Sequence, residues 1–153
     1  MSKHSTTHAT FTIERRYDAP PARVFKAFSD PAAKRRWFVE GEGWVIESYD
    51  IDFRVGGLER SRFRFGDGPP MTFDAIYQDI VTNERIINAY SMTMGGNRIS
   101  ASLATTEFRP AGNGTILVFT EQGAYLDGHD NVAQREEGTR QLFEALAKEL
   151  KRN

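Results

Sequence analysis

One long amphipathic segment near the C-terminus constrains the fold more than any other feature of the sequence. From Asp130 to Lys151, apolar residues recur every three or four positions, which is the period of a helix with one buried face. The apolar positions are Val132, Thr139, Leu142, Phe143, Leu146, Ala147 and Leu150, and the polar positions are Arg135, Glu136, Arg140, Glu144, Lys148 and Lys151. At ~1.5 Å per residue this helix spans roughly 30 Å. We therefore expect it to begin at an Asp130 or Asn131 N-cap and to lie across a sheet.

The residues before this helix read mainly as strands. Phe11, Ile13 and Tyr17 alternate with polar residues, which predicts a first strand. Pro20-Pro21 and Ser29-Asp30-Pro31 then begin two short helices, of which the second ends near Trp37. Six further strands are predicted, at Trp44–Phe53, Leu58–Phe65, Met71–Val81, Arg85–Met94, Arg98–Pro110 and Thr115–Gly123. The short Gly- and Asn-rich segments between them predict antiparallel hairpins.

This order of elements predicts an α+β fold. A seven-stranded, curved antiparallel sheet would wrap around the long C-terminal helix, with two short helices after the first strand. We expect one domain over residues 10–153, preceded by a flexible tail over residues 1–9 that has no apolar run and is no signal peptide. The chain has no cysteine, which excludes disulfides and thiolate chemistry and favours a cytoplasmic location.

Several short motifs resemble a known superfamily. They are Arg15-x-Tyr17-x-Ala19-Pro20, Val24-Phe25-x-Ala27-Phe28-Ser29-Asp30-Pro31 and Arg36-Trp37-Phe38, and they resemble the opening of the SRPBCC superfamily of START-like, helix-grip (START/Bet v-like) proteins. A second set narrows the resemblance: Asp52-Phe53-Arg54-Val55-Gly56-Gly57, Gly114-Thr115 and Thr120-Glu121-Gln122-Gly123. This set is similar to the subfamily named for the C-terminal domain of the activator of heat-shock protein 90 ATPase, in its stand-alone bacterial form.

The resemblance implies a hydrophobic cavity between the long helix and the sheet, used across the superfamily for lipids, sterols, polyketides and plant hormones. One residue departs from the pattern: Thr139 stands where many bacterial relatives carry Trp, which implies a larger or more polar cavity. The eukaryotic activator also has a separate N-terminal domain, for which this chain has no room. We therefore expect the chain alone to be no potent activator of a chaperone.

Strand alternation and the helix stripe together predict the walls of the cavity. The candidate ligand-binding residues are Trp37, Phe38, Trp44, Phe63, Phe73, Tyr77, Tyr90, Met92, Phe119, Thr139, Phe143 and Leu146. Phe65 and Leu117 fall on the same predicted faces. Each of these residues could equally belong to an ordinary core, but so many aromatic rings together favour a small-molecule site.

Two acids, Glu59 and Glu121, fall in phase with the inward-facing aromatic residues. A buried carboxylate has a raised pKa and can serve as a general acid or base. The alternative is that each carboxylate pairs with an arginine at the sheet's edge. By the same reasoning Arg15, on an apolar strand face, requires an acidic partner.

The function that these features favour is non-covalent binding of a small, largely apolar ligand. Two alternatives stay open: a cyclase- or hydrolase-like enzyme that uses Glu59 or Glu121, and a module that interacts with a chaperone. No cofactor and no metal is expected, because His4, His8 and His129 form no ligand pair.

With 20 basic and 21 acidic residues, the chain is not expected to bind nucleic acid or membranes. Arg60, Arg62 and Arg64 are interpreted as an outer, acid-paired stripe, and homodimerisation is left open.

Overall fold

The computed structural model describes residues 3–152. Along this part of the chain the elements are β1 (Thr6–Tyr17), α1 (Pro21–Ser29), α2 (Pro31–Lys34), which continues into a π-helical turn (Arg35–Val39), β2 (Trp44–Ile51), β3 (Leu58–Phe65), β4 (Met71–Val81), β5 (Arg85–Met94), β6 (Asn97–Ala111), β7 (Gly114–Leu126) and α3 (Val132–Leu150). The predicted order of strand, short helices, six strands and one long helix is confirmed. The Asn131 side chain caps α3 by accepting a hydrogen bond from the Gln134 amide.

The strands form one curved sheet in the order β1-β7-β6-β5-β4-β3-β2. Every neighbouring pair is antiparallel. Consecutive strands from β2 to β7 are joined by short turns, as the glycine-rich segments predicted. The first strand, β1, pairs with the last strand, β7, and so forms one edge of the sheet. The helix α3 lies across the inner face of the sheet. The helix-grip architecture is therefore confirmed.

The first strand begins earlier than the sequence predicted. Thr6–Ala9, expected in a flexible tail, pair with Gly123–Leu126, so that both β1 and β7 extend beyond their predicted ends. His8 consequently lies in a strand. This stretch has no apolar alternation because neither of its faces is covered by the core, so its side chains stay largely exposed. Of the rest of the predicted tail, Met1 and Ser2 lie outside the described residues, and residues 3–5 precede the strand.

The hydrophobic core occupies only part of the space beneath α3. Phe25 and Phe28 of α1 pack edge-on against Phe108 of β6, with ring centroids 5.3 Å and 5.2 Å apart. Leu146 and Leu150, in the second half of α3, belong to or pack against this cluster. The second half of the helix is therefore embedded in the core, while its first half covers a different region.

The C-terminal end of α3 is held by a bidentate ion pair. The Arg36 guanidinium donates two hydrogen bonds to the Glu149 carboxylate, at 2.9 Å and 2.8 Å. Arg36 holds the pKa of Glu149 below its usual value. Because the folded-state pKa is depressed, this stabilisation is present above the unfolded-state pKa of Glu149 and is lost as the pH falls through the folded-state pKa.

We accordingly expect Glu149→Gln to lower the melting temperature at neutral pH, by an amount that shrinks toward acid pH. The exposed Glu137→Gln, on the same helix, serves as the matched control and should change little at either pH. Thermal unfolding followed by circular dichroism across the acid range measures this difference. An equal loss for Glu149→Gln at neutral and strongly acid pH would contradict the assigned ion pair.

Candidate functional site

A cavity of about 470 Å³ lies between the first half of α3 and the inner face of the sheet. It forms where small side chains face one another. Ser61 of β3 and Ala104 of β6 line the sheet side, and Gly138 lines the helix side. Because none of these residues reaches across, the helix and the sheet do not close on each other in this region.

Most of the predicted site residues line this cavity. They are Trp37, Phe38, Trp44, Phe63, Phe73, Tyr77, Tyr90, Met92, Phe119, Thr139 and Phe143. Leu146 is the exception, because it is fully buried in the core together with Leu117, beneath the half of α3 that contacts α1. Phe65 also lies outside the cavity: it is 57% exposed and packs against Trp44.

The rings form a nearly continuous wall. Phe73 links Phe38 to Tyr90, with ring centroids 5.3 Å and 4.8 Å away. On the opposite side, Phe119 of β7 meets Phe143 of α3 edge-on at 5.3 Å. Such contacts fix the ring orientations without filling the space between them. The arrangement can therefore hold an apolar molecule against preformed aromatic surfaces.

A buried polar group, the Lys34–Glu59 cluster (Lys34, Tyr49, Glu59 and Tyr77), lies at the β2–β4 side of the cavity. Glu59 is only 1% exposed, and its carboxylate accepts hydrogen bonds from the Tyr77 hydroxyl at 2.5 Å and the Tyr49 hydroxyl at 2.8 Å. The Lys34 ammonium donates a third hydrogen bond, at 3.2 Å. Burial beside the Glu59 carboxylate raises the pKa of Tyr77 far above its ordinary value, so this hydroxyl stays a donor.

Lys34 is also held by aromatic rings. Its ammonium lies 4.3 Å from the ring centroid of Phe38, and the rings of Phe28 and Trp37 are 5.5 Å and 5.6 Å away. Cation–π attraction and the ion pair with Glu59 together stabilise a charge that would otherwise be costly to bury. The Lys34 ammonium group therefore lies against the aromatic wall of the cavity.

A second polar group, the Arg135–Glu121 cluster (Tyr90, Ser100, Glu121, Asp130 and Arg135), lies toward β7 and the N-terminal end of α3. Arg135 donates to the Tyr90 hydroxyl and the Ser100 hydroxyl, each at 2.8 Å, and to Asp130 at 2.6 Å. Its contact with the Glu121 carboxylate is longer, at 3.4 Å. The Tyr90 hydroxyl in turn donates to Glu121 at 2.7 Å.

Burial raises the pKa of the Glu121 carboxyl, and the Arg135 charge and the Tyr90 hydrogen bond only partly offset this effect. Burial beside Glu121 likewise raises the pKa of Tyr90, which keeps its proton. Glycine at position 123 makes room for the cluster's neighbour Tyr125, because a Cβ there would lie 3.0 Å from the Tyr125 hydroxyl oxygen. The cluster is therefore a compact polar wall with two carboxyl groups, of which Glu121 has the raised pKa.

The two cations are the site residues that sequence reasoning missed. Arg135 was placed on the polar face of α3, but its side chain is only 10% exposed and lines the cavity. Its position three residues after Val132 and four before Thr139 is the signal that could have identified it. Glu121 thus pairs with a helix arginine rather than one at the sheet's edge, and the partner of Glu59 is a lysine.

The acidic partners predicted for Arg15, Arg60 and Arg62 are confirmed. Arg15 bonds to Glu144 of α3 at 2.5 Å, which supplies its expected acidic partner. Arg60 and Arg62 share Asp74 on the outer face of the sheet, at 3.2 Å and 3.0 Å. Among residues 3–152, no group of three or more acidic or histidine side chains is placed to hold a metal ion. No helix within the same range is long and apolar enough to cross a membrane.

Solved structures closely resemble the chain. The Mll3558 protein from Rhizobium loti is 54% identical, with a TM-score of 0.89 over 95% of this chain and 99% of its own. A protein from Rhizobium leguminosarum is 47% identical, with a TM-score of 0.94 over 98% and 99% of the two chains. The CV1439 protein from Chromobacterium violaceum is 27% identical, with a TM-score of 0.79 over 94% and 98%.

No curated protein matches the sequence. Residues 18–151 match the family model described as Activator of Hsp90 ATPase homolog 1-like protein. This match spans strands β2 to β7, the cavity and α3, and it agrees with the helix-grip architecture and with the structural relatives. The chain therefore belongs to the family of Activator of Hsp90 ATPase homolog 1-like proteins, within the helix-grip superfamily.

Proposed function

We propose that this protein binds a small, largely apolar molecule non-covalently in the cavity beneath α3. The observation that carries the proposal is the cavity itself, about 470 Å³ in volume and walled by aromatic rings. This volume falls within the range of roughly 300–1,000 Å³ that is common for small-molecule sites. A space that merely reflected loose packing would be costly to keep, because cavities destabilise a core in proportion to their volume.

The distribution of polar groups supports the same function. The lining is mostly apolar, and its buried charged side chains are gathered into the Lys34–Glu59 and Arg135–Glu121 clusters. A few fixed polar groups within an apolar cavity are how a protein orients a small ligand. The clusters hold their side chains through ion pairs before any ligand arrives, so binding requires little reorganisation.

Thermal stabilisation by N-phenyl-1-naphthylamine, an uncharged fluorescent probe, tests the proposal. If the probe enters the cavity, the melting temperature rises with its concentration; a ligand at ~100 times its Kd adds about 2.7 kcal/mol of stability. Probe fluorescence should increase in parallel, since the aromatic wall excludes water. A melting temperature that stays constant across a panel of uncharged aromatic and aliphatic probes would refute binding at this site.

Replacing Thr139 with Trp should fill the cavity while the fold is kept. Thr139 lines the cavity from α3, and its hydroxyl bonds only to the Arg135 carbonyl within the helix, at 2.9 Å. A bulky ring at this position would displace larger ligands, so we expect probe affinity to fall by about tenfold or more. Fluorescence titration measures this loss.

The matched control is Arg140→Trp, which places the same ring one position along on the exposed face of α3. It should bind the probe like the parent protein. If Thr139→Trp also bound a range of ligands unchanged, the ligand site would not lie beneath this helix.

An acid–base role for Glu121 is a second candidate function, supported by its burial in the cavity wall and its raised pKa. The test is a substitution that preserves shape. Glu121→Gln should abolish turnover of a cavity-bound ester or ketone while retaining its binding. Unchanged turnover in this variant would exclude Glu121 as the acid or base.

A further inference from the structure

The two polar clusters of the cavity offer opposite hydrogen-bonding capacity. The Lys34 ammonium has three N–H donors, and its one hydrogen bond to the described residues goes to Glu59. Because Lys34 also lines the cavity, its other two donors are available to a bound molecule. Since all three neighbours of the Glu59 carboxylate already donate to it, a further group near Lys34 is favoured only if it accepts a hydrogen bond.

The Arg135–Glu121 cluster has the reverse capacity. All four terminal N–H bonds of Arg135 point at partners, namely Tyr90, Ser100, Glu121 and Asp130. The Tyr90 hydroxyl proton is directed at Glu121. By contrast, the Glu121 carboxylate accepts from Tyr90 and Ser102 and has a long contact with Arg135, at 3.4 Å. Since a carboxylate offers about four acceptor sites, it keeps room to accept one more hydrogen bond. A group bound there must donate.

The charge of the lining excludes anionic ligands. Two cations face the cavity, Lys34 and Arg135, and both are already paired; five carboxylates line it, from Glu40, Glu42, Glu59, Glu121 and Asp130. An anion would therefore enter a net-negative space with no unpaired cation to receive it. A hydroxyl or a carbonyl is far cheaper to bury, because each needs only one hydrogen bond.

The two clusters also lie on opposite sides of the cavity. Glu59 is on β3 and Glu121 is on β7, four strands away in the sheet. This corresponds to ~19 Å along the sheet surface, and less across its concave side. Between the two clusters, the sheet side of the cavity is lined by the small residue Ala104 and by Asn88. The Asn88 amide can either donate or accept a hydrogen bond. An elongated molecule can contact both clusters at once.

On the basis of the proposed function, we propose that the cavity selects an uncharged, elongated, mainly apolar molecule with a carbonyl group at the Lys34–Glu59 cluster and a hydroxyl group at the Arg135–Glu121 cluster. The carbonyl oxygen accepts from Lys34 beside the Phe38 ring. The hydroxyl group donates to the Glu121 carboxylate beside Tyr90. The apolar body lies against Phe73 and Phe119. Neither Ser102 nor Tyr125 lines the cavity, so neither hydroxyl is placed to contact the bound molecule.

A matched series of probes tests this selectivity on the parent protein. The probes are dihydrochalcone, which has only the ketone; its derivative with a para-hydroxyl on the ring remote from the ketone; the corresponding phenylpropyl phenol, which lacks the ketone; and the derivative with a carboxylate in place of the hydroxyl. We expect the hydroxyketone to bind about tenfold more tightly than either compound with one polar group. The carboxylate should bind about a hundredfold more weakly than the hydroxyketone.

The outcomes separate the two proposals. If all four probes bind with similar affinity, or if the carboxylate binds best, the selectivity inferred here is refuted while the binding function stands. If none of the four raises the melting temperature, both proposals are refuted. Isothermal titration calorimetry distinguishes these results without any substitution that could disturb folding.

A double variant then assigns the carbonyl to its partner. Lys34→Met with Glu59→Gln removes the ammonium and its counter-charge together, so no unpaired charge is left buried. In this variant the hydroxyketone should bind no more tightly than the phenol without the ketone. Retention of the tenfold preference would overturn the assignment of the carbonyl to Lys34.

Discussion

Replacing Phe143 with Asp is expected to unfold the domain or to destabilise it by about 4 kcal/mol or more. Phe143 is almost completely buried and packs edge-on against Phe119. Its loss removes a large apolar side chain, which typically costs 3–5 kcal/mol, roughly, and the new carboxylate would face an aromatic wall without a partner. Urea unfolding measures the difference in free energy.

The matched control for this substitution is Phe143→Leu. It keeps an apolar side chain and should cost only about 1–2 kcal/mol, because much of the packed area is retained. The Tyr17 hydroxyl, which donates to the Phe143 backbone carbonyl at 2.9 Å, remains satisfied in both variants. Wild-type stability of Phe143→Asp would show that this face of α3 is solvated, in contradiction to the fold described above.

Replacing Arg135 with Met should produce the second-largest effect. It removes the shared partner of Glu121 and Asp130, and breaking a buried ion pair from one side typically costs about 3–5 kcal/mol. Exposed Arg140 pairs with Glu136 on the same helix, and Arg140→Met should cost less than about 0.5 kcal/mol. Denaturant unfolding of the two variants provides the comparison.

The pH dependence of this loss has a definite sign. The folded-state pKa of Glu121 is already raised by burial, so the folded protein gains stability when that carboxyl is protonated. This gain is fully present below the unfolded-state pKa and is lost as the pH rises through the folded-state pKa. Because removal of the Arg135 charge raises the pKa of Glu121 further, Arg135→Met should be less destabilising at acid pH than at neutral pH.

Adding Glu121→Gln to Arg135→Met should recover part of the stability at neutral pH, since an amide needs no counter-charge. An Arg135→Met variant that loses the same free energy at both pH values, with no rescue by the second substitution, would contradict the buried pair. This pair of measurements also tests whether Glu121 is held as a charged group within the cavity wall.

Much of the fold could be predicted because its signals are local. The glycine-rich turns, the alternation within β3 to β7 and the α3 stripe each depend on neighbouring residues, and all three agree with the structure. The start of β1 was predicted incorrectly for the same reason. Thr6–Ala9 become a strand only because β7 supplies their hydrogen-bonding partners, and that partner lies more than a hundred residues away.

The candidate site was predictable in its apolar part and not in its charged part. Alternation identifies which rings face inward, but it does not distinguish a cavity from a core. Leu146 and Thr139 share one face of α3, and only the small residues opposite Thr139 leave it beside open space. Lys34 and Arg135 were missed because a long charged side chain can turn toward solvent or toward a distant carboxylate, and tertiary structure alone decides between them.

Methyl NMR with bound N-phenyl-1-naphthylamine tests the central claim most directly. With ¹³C-labelled isoleucine and methionine methyl groups, we expect intermolecular nuclear Overhauser effects from the probe to Ile86, Ile99 and Met92, which line the cavity. Ile76, which is exposed on the outer face of the sheet, is the internal control and should show none. Effects confined to Ile76 and its neighbours, with the cavity methyl groups unchanged, would contradict a ligand site beneath α3.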